Sequence, residues 1–224
     1  TENFSKYVRL KDKKKTIILC RDHGGPWQNN IEIKKKYNLK EALNSAKQSF
    51  KNDIDSKFKI IHIDTSIDIH NKKCNEKEML NRLFDLYSFC CEYSFKKNKK
   101  IFIEIGTEEQ TGFTNTKDQL ENHLIQIKRF CKKNNYPEPI FVVVQTGTKV
   151  MEMKNVGSFD SPLRIKNQLP SEIQVPIMVD VCEKNDVMIK QHNTDYLSDD
   201  ALKWHPRLGI HAANVAPEFG IAET

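Results

Sequence analysis

Short apolar runs alternate along this chain with longer stretches in which apolar residues recur every three or four positions. The runs at Thr16–Cys20, Lys59–Ile63, Ile101–Ile105, Ile140–Val144, Asp186–Lys190 and Leu208–His211 read as β-strands. The periodic stretches read as helices. Asn38–Phe50 sets Leu39, Leu43, Ala46 and Phe50 on one face, Glu76–Phe95 carries a broad stripe from Met79 to Cys91, and Asp118–Lys133 repeats the period with Leu120, Leu124, Ile127 and Phe130. Ser198–Trp204 is a shorter helix. Thr1–Lys15 is polar and lysine-rich and reads as a lead-in. Lys149–Gln174 has weak periodicity and, with Gly157, Pro162 and Pro170, reads as a loop with a short helix near Ser171, while the apolar run Val175–Val181 fits either type. The order βαβαβαβαβαβ implies a parallel sheet with right-handed crossovers.

Polar residues recur just past these runs. Asp22-His23 precedes Gly24-Gly25-Pro26, Asp64 follows the second run, and the third carries Glu104 with Glu108 beyond it. Gln145 and Gly147 follow the fourth; the fifth ends in Lys190, with His192 and Asp195 beyond it, and the last ends in His211, with Asn214 beyond it. Parallel α/β folds build their sites from such strand ends, so one shared polar site is expected. The alternation of side chains puts His62 with Asp64, Phe102 with Glu104, and Met188 with Lys190 and His192. Polar inward faces suit a barrel interior better than a sheet covered by helices. Six strands do not close an eight-stranded barrel. The expectation is therefore a single α/β domain of (β/α)8 TIM-barrel type with strands three to eight visible and the first two strands lacking.

Composition narrows the classes. The chain has 224 residues, 38% hydrophobic and 29% charged, and no apolar run long enough to span a bilayer, so no membrane association is expected. The net charge of +6 comes from scattered lysine runs at 13–15, 34–36 and 96–97 without aromatic interleaving, which reads as solvated surface and not a nucleic-acid patch. Six cysteines form no CxxC pair and there is no secretory segment, so a reducing cytoplasm is the expected compartment. Residue 1 is Thr, which suggests a processed or cut segment. No GxSxG is present, which argues against a serine-hydrolase elbow.

The segments DHGGPWQ, KIIHIDTS, IEIGTEEQTGF, FVVVQTGTK, QHNTDYLSDDALKW and NVAPEFGIAET together resemble the Z-type subunit family of tagatose-bisphosphate aldolase, the non-catalytic or tagatose-6-phosphate-kinase-like proteins, and more distantly class II aldolases. The resemblance implies a (β/α)8 barrel entered at its third strand, with the first two strands and the last helix lacking. It implies Asp22 as catalytic acid/base, His23 and His192 as metal ligands, Glu104 as the metal-associated acid and Glu108 in the acidic loop. Asn214 falls at a substrate or phosphate position. Gln145-Thr146-Gly147-Thr148 stands where the family carries a further His, and His211 could supply the missing imidazole.

Chemistry gives an independent case for a divalent metal, with Zn2+ as the expected ion. Such an ion polarises a ketose carbonyl and its adjacent hydroxyl, and three N/O ligands with an open position suffice. His23, Glu104, His192 and His211 are the candidate ligands; Asp22, Glu108 and Lys190 are the candidate catalytic groups. Lys190 could form a Schiff base, though an ion pair or a phosphate contact suits a strand lysine better. Asp64, Gln145, Gly147, Asp195 and Asn214 are candidate substrate contacts. Trp27 could wall a sugar site or pack in the core; Cys90 and Cys91 belong to the core. Two functions fit. One is an enzyme acting on a ketose or ketose phosphate through metal-assisted enediolate chemistry, a class II aldolase-like lyase or an epimerase. The other is a non-catalytic subunit stabilising a partner aldolase, with homo-oligomerisation also possible.

Overall fold

The computed structural model describes residues 1–71, 75–106 and 116–222. It divides into two compact units, residues 1–107 with 127–140 and residues 108–126 with 141–224.

The first unit opens with helix α1 (Glu2–Lys11), where the sequence suggested only a lead-in. Strand β1 follows at Cys20–Gly24, four residues later than its apolar run predicts. Ile17 and Ile18 lie outside the ladder and are exposed, because the pairing with the next strand begins only at Leu19, whose carbonyl accepts from Lys59 N at 2.8 Å. After the short helix α2 (Asn30–Lys34) comes α3 (Leu39–Asp55). Asn38 accepts from Glu41 N while the Glu41 carboxylate accepts from Asn38 N, a capping box that fixes the start of α3. Strand β2 (Ile60–Asp64), helix α4 (Glu76–Lys96) and strand β3 (Phe102–Gly106) complete the series. The strands run parallel in the order β1-β2-β3, with His62 opposite Glu104 and Asp64 opposite Gly106. Ile61, Ile63, Ile103 and Ile105 alternate with these polar residues and are buried, as are Phe50 and Ile54 of α3 and Leu83, Leu86, Cys90 and Cys91 of α4. Helix α5 (Lys117–Asn134) buries Leu120, Leu124, Ile127 and Cys131 and spans the boundary between the units.

In the second unit β4 (Phe141–Val144) leads into an antiparallel hairpin, β5 (Lys149–Met151) and β6 (Lys154–Val156), where the sequence suggested a loop. The run Val175–Val181 is helical, part of α6 (Ser171–Lys184), despite Pro176 within it. Val175, Met178, Val179, Val181 and Cys182 supply a buried apolar face that outweighs the one amide lost at the proline. Strand β7 (Met188–Gln191), helix α7 (Asp199–Trp204), strand β8 (Ala212–Ala213) and helix α8 (Pro217–Ala222) follow. The parallel order here is β4-β7-β8. The last strand is thus shifted from Leu208–His211, because Pro206–Leu208 forms a 3-10 turn and Gly209 a left-handed exit, φ +77°.

The architecture is α/β and TIM-barrel-like. Six parallel strands are present among the described residues, not the eight of a closed barrel. No helix among the described residues is long and apolar enough to cross a membrane.

Candidate active site at the ends of the first three strands

Asp22 and His23 stand where the β1 ladder slips. Arg21 pairs with Ile61 and Gly24 with Ile63, so three steps on β1 match two on β2: a β-bulge. His23 has φ +38°, in the left-handed region, which costs on the order of 1–3 kcal/mol for a non-glycine residue. In an unbroken strand Asp22 and His23 would point to opposite faces. The bulge instead brings both to one place. Asp22 Oδ1 lies 3.8 Å from His23 Nε2 and 3.7 Å from His62 Nδ1, and the two imidazole rings are 4.9 Å apart. The residues that follow must be glycine for lack of space: a Cβ on Gly24 would meet Phe50 at 2.2 Å, and one on Gly25 would meet the Asp64 carbonyl oxygen at 1.8 Å.

Asp64 ends β2 beneath His23. Its Oδ2 is 2.7 Å from His23 Nδ1, and its Oδ1 accepts from Ser66 N at 3.0 Å. Burial alone would raise the Asp64 carboxyl. The His23 hydrogen bond, the charges of His62 and His23 and the contact with Ser66 outweigh it, so the group sits below the ordinary carboxylate range. A carboxylate bonded to one imidazole nitrogen fixes the ring and leaves the other nitrogen to act. Here that other nitrogen is His23 Nε2, on the side of Asp22.

His62 and Glu104 share a level of the sheet, and both are buried. His62 Nδ1 is 3.3 Å from Glu104 Oε1 and 3.3 Å from the His23 amide nitrogen, which donates to it. His62 Nε2 is buried without a hydrogen-bond partner and lies against Gly106, where a Cβ would come within 2.5 Å of it. An orphaned imidazole nitrogen in a polar nest needs an explanation of its own.

Ligand atoms of His23, His62 and Asp64 lie within 4.8 Å of one another, the one such group among the described residues. The donor set fits a divalent ion. Two imidazoles and a carboxylate with open positions is a recurrent transition-metal arrangement. Two donors each about 2.1 Å from one ion lie about 3.4 Å apart at a tetrahedral angle. His62 Nδ1 and Glu104 Oε1, 3.3 Å apart, have a separation of that size.

The other expected site residues fall in the second unit or outside the description. Glu108 lies outside the described residues. Gln145, just past β4, is buried; its Nε2 is 2.7 Å from His192 Nδ1, and its Oε1 accepts from Asn193 Nδ2 at 2.7 Å. Thr148 Oγ1 donates to the His192 carbonyl at 3.1 Å. Gln145 and His192 are therefore together, in a network with Asn193. Gly147 has φ +77°, and a Cβ there would meet the Leu169 carbonyl oxygen at 2.8 Å, so its glycine answers to backbone geometry. Lys190 is half-buried on β7. Asp195 is buried, and its Oδ1 accepts from Ala216 N at 2.8 Å and Glu218 N at 2.9 Å, which makes it the cap at the start of α8. The Asn214 carbonyl accepts from Thr194 Oγ1 at 2.7 Å.

His211 is not at the end of the last strand but before it, and it is exposed. Lys190 pairs with Ala212, so His211 is level with Ile189 and His192 with Asn214. Three strand residues separate those levels, about 10 Å, and side chains an odd number of steps apart on paired strands face opposite sides of the sheet, so the ladder turns the two rings apart.

His62 is the residue that sequence reasoning left out of the site. Its signal was visible, since a His two positions before Asp64 on a strand shares the Asp64 face, but it was read only for fold. Asn193, the partner of Gln145, gave no signal of its own.

No protein-family model and no curated protein sequence matches the chain. Solved structures do. A candidate phosphonomutase from Burkholderia cenocepacia J2315 superposes with a TM-score of 0.55 at 9% identity, over 99% of this chain and 71% of that one. The YdjI aldolase from Escherichia coli K12 superposes with a TM-score of 0.51 at 15% identity, over 99% of this chain and 61% of that one. At these identities the likeness is one of fold, and nothing in it singles out the Z-type aldolase subunit.

Proposed function

We propose that this chain is an enzyme of the lyase or epimerase kind, acting on a small ketose or ketose phosphate through an enediolate, with a divalent metal held at the ends of the first three strands. The observation that carries this is the group His23–His62–Asp64 with Asp22 and Glu104 beside it. A divalent cation polarises a carbonyl and its adjacent hydroxyl and stabilises the charge of the enediolate. His23 and His62 would hold it, with Glu104 or Asp64 supplying carboxylate oxygen; nitrogen donors favour Zn2+ or another transition ion over Mg2+. Asp64 holds the His23 ring in place. Asp22, the exposed acid of the group, is the residue able to take a proton from a substrate carbon or hydroxyl and return it. The fold shared with an aldolase supports this at the level of fold alone.

The test is exchange of carbon-bound hydrogen with solvent. In D2O, with Zn2+ or Mn2+ supplied, dihydroxyacetone phosphate, fructose 1,6-bisphosphate and tagatose 1,6-bisphosphate are followed by proton NMR. Asp22→Asn should slow exchange by about 10²–10⁴-fold while ion binding persists. Absence of exchange on every one of these substrates would overturn the reading.

One observation favours a second reading, a non-catalytic subunit. Gln145 stands where the resembled family carries a His, and its amide engages the Nδ1 of His192. In that case Asp22→Asn leaves a partner aldolase's activity unchanged.

A further inference from the structure

Helix α1 is turned inside out. Its buried residue is Ser5, whose hydroxyl donates to the Ser56 carbonyl at 2.7 Å, and Arg9 Nη2 donates to the same carbonyl at 3.1 Å. At about 100° per residue, Phe4, Tyr7 and Leu10 lie on the opposite side. They are 57%, 58% and 76% exposed. A surface helix ordinarily buries its apolar stripe and shows its polar one. The run after α1 has the same character, with Ile17 58% and Ile18 63% exposed. Five large apolar side chains within the first 18 residues are too many to read as scattered surface hydrophobics.

Between the helix and the run lies a cleft of about 690 Å³ lined by Val8, Ile17, Ile18 and Leu19 with Arg9, Lys13, Lys15, Lys57 and Lys59. Its one carboxylate, Asp12, is already engaged: Oδ1 accepts from Thr16 N at 3.1 Å and Oδ2 from Ile17 N at 2.7 Å. The bond from Ile17 foremost, with those from Thr16 and Lys15, holds the Asp12 carboxyl below its ordinary value against the opposing effect of burial. An apolar floor with five cations and one spent anion selects for charge of the opposite sign. A second copy paired through the same face would bring the same cations to the same place, and a nucleic acid would leave the isoleucines uncovered.

We infer that this cleft is a docking surface for an acidic polypeptide segment carrying apolar anchor residues. The anchors cover Ile17 and Ile18, and carboxylates meet Lys13, Lys15, Lys57 and Lys59. The inference rests on residues away from the strand-end site and stands whether or not the proposed chemistry does.

The experiment is selection from a random dodecapeptide library on the full chain. Enriched peptides should be acidic, with two or more large apolar residues. Binding of a fluorescein-labelled winner should weaken at least about 10-fold in Ile18→Glu and in Lys57→Glu/Lys59→Glu, and by a similar factor between 50 and 300 mM NaCl as the charges are screened. These side chains are exposed, so unchanged circular dichroism and Tm confirm that the variants fold. Enrichment of neutral or basic peptides, no enrichment, or binding indifferent to these substitutions would overturn the inference. So would preferential binding of oligo-dT or phosphatidylserine vesicles with the same residue dependence, or a dimer in sedimentation that Ile18→Glu dissociates.

Discussion

Replacing Asp64 by Asn tests whether the buried His23–Asp64 contact organises the site. The change keeps the shape of the side chain and leaves Oδ1 able to accept from Ser66 N, but it removes the charge behind the 2.7 Å contact with His23. A hydrogen bond to a charged group contributes about 1.5–3 kcal/mol. In a domain of this size about 2 kcal/mol lowers Tm by roughly 4–8 °C. The pH dependence has a definite sign. The folded carboxyl sits below its unfolded value, so its contribution is complete above about pH 3.9 and is lost as pH falls through the lower folded value. Urea unfolding at pH 7 should therefore separate wild type from Asp64→Asn, and the gap should narrow below about pH 4. Because Asp64 also orients His23, ion affinity should fall about 10–100-fold. Equal stability at pH 7 together with unchanged ion affinity would refute the role given to Asp64.

Three further outcomes follow from single contacts. Arg21 Nη1 lies 3.2 Å from Asp53 Oδ2, a pair that joins β1 to α3, and burial, partly offset by Arg21, raises the Asp53 carboxyl. Arg21→Met should cost about 3–5 kcal/mol in denaturant unfolding at pH 7; stability should partly recover as pH falls and Asp53 takes up a proton, and Arg21→Met/Asp53→Leu should restore most of it. Gly106→Ala forces its Cβ against His62 Nε2 and should destabilise by about 1–3 kcal/mol and weaken ion binding, both read on one sample by titration and melting. Arg82 Nη2 is 2.7 Å from Asp68 Oδ2 and, against the effect of burial, that bond and those from His70 and Asn71 hold the carboxyl at about 2. The Asp68 carboxylate resonance should therefore shift only near that pH in NMR titration and move to higher pH in Arg82→Gln.

Most of the fold could be read from periodicity. The helices at Leu39–Asp55, Glu76–Lys96 and Lys117–Asn134 and the strands at Ile60–Asp64 and Phe102–Gly106 fall where their apolar spacing put them. The first strand did not. Hydrophobicity alone placed it on Ile17-Ile18, whereas the ladder runs through the polar CRDHG segment that the site needs. Proline and glycine signals hid the hairpin and left the Val175–Val181 part of the Ser171–Lys184 helix open beyond the short helix expected near Ser171, since no local rule weighs Pro176 against a buried face formed by distant residues. At the site, that Asp22, His23, Asp64 and Glu104 belong to three successive strand segments was legible, although Asp22 and His23 lie within the first strand and not past it. The bulge that turns Asp22 and His23 to one side was not, because register is a property of two strands. The same cause moved His211 away from the level of His192.

Metal binding tests the central claim most directly. Protein stripped with chelator and dialysed should take up about one Zn2+ or Mn2+ per chain in calorimetric titration, with a rise in Tm as expected for a ligand that binds the folded state. His23→Ala/His62→Ala should abolish this uptake while His211→Ala leaves it intact. Failure of the stripped protein to bind either ion below millimolar concentration, or binding unchanged in the double variant, would contradict the account.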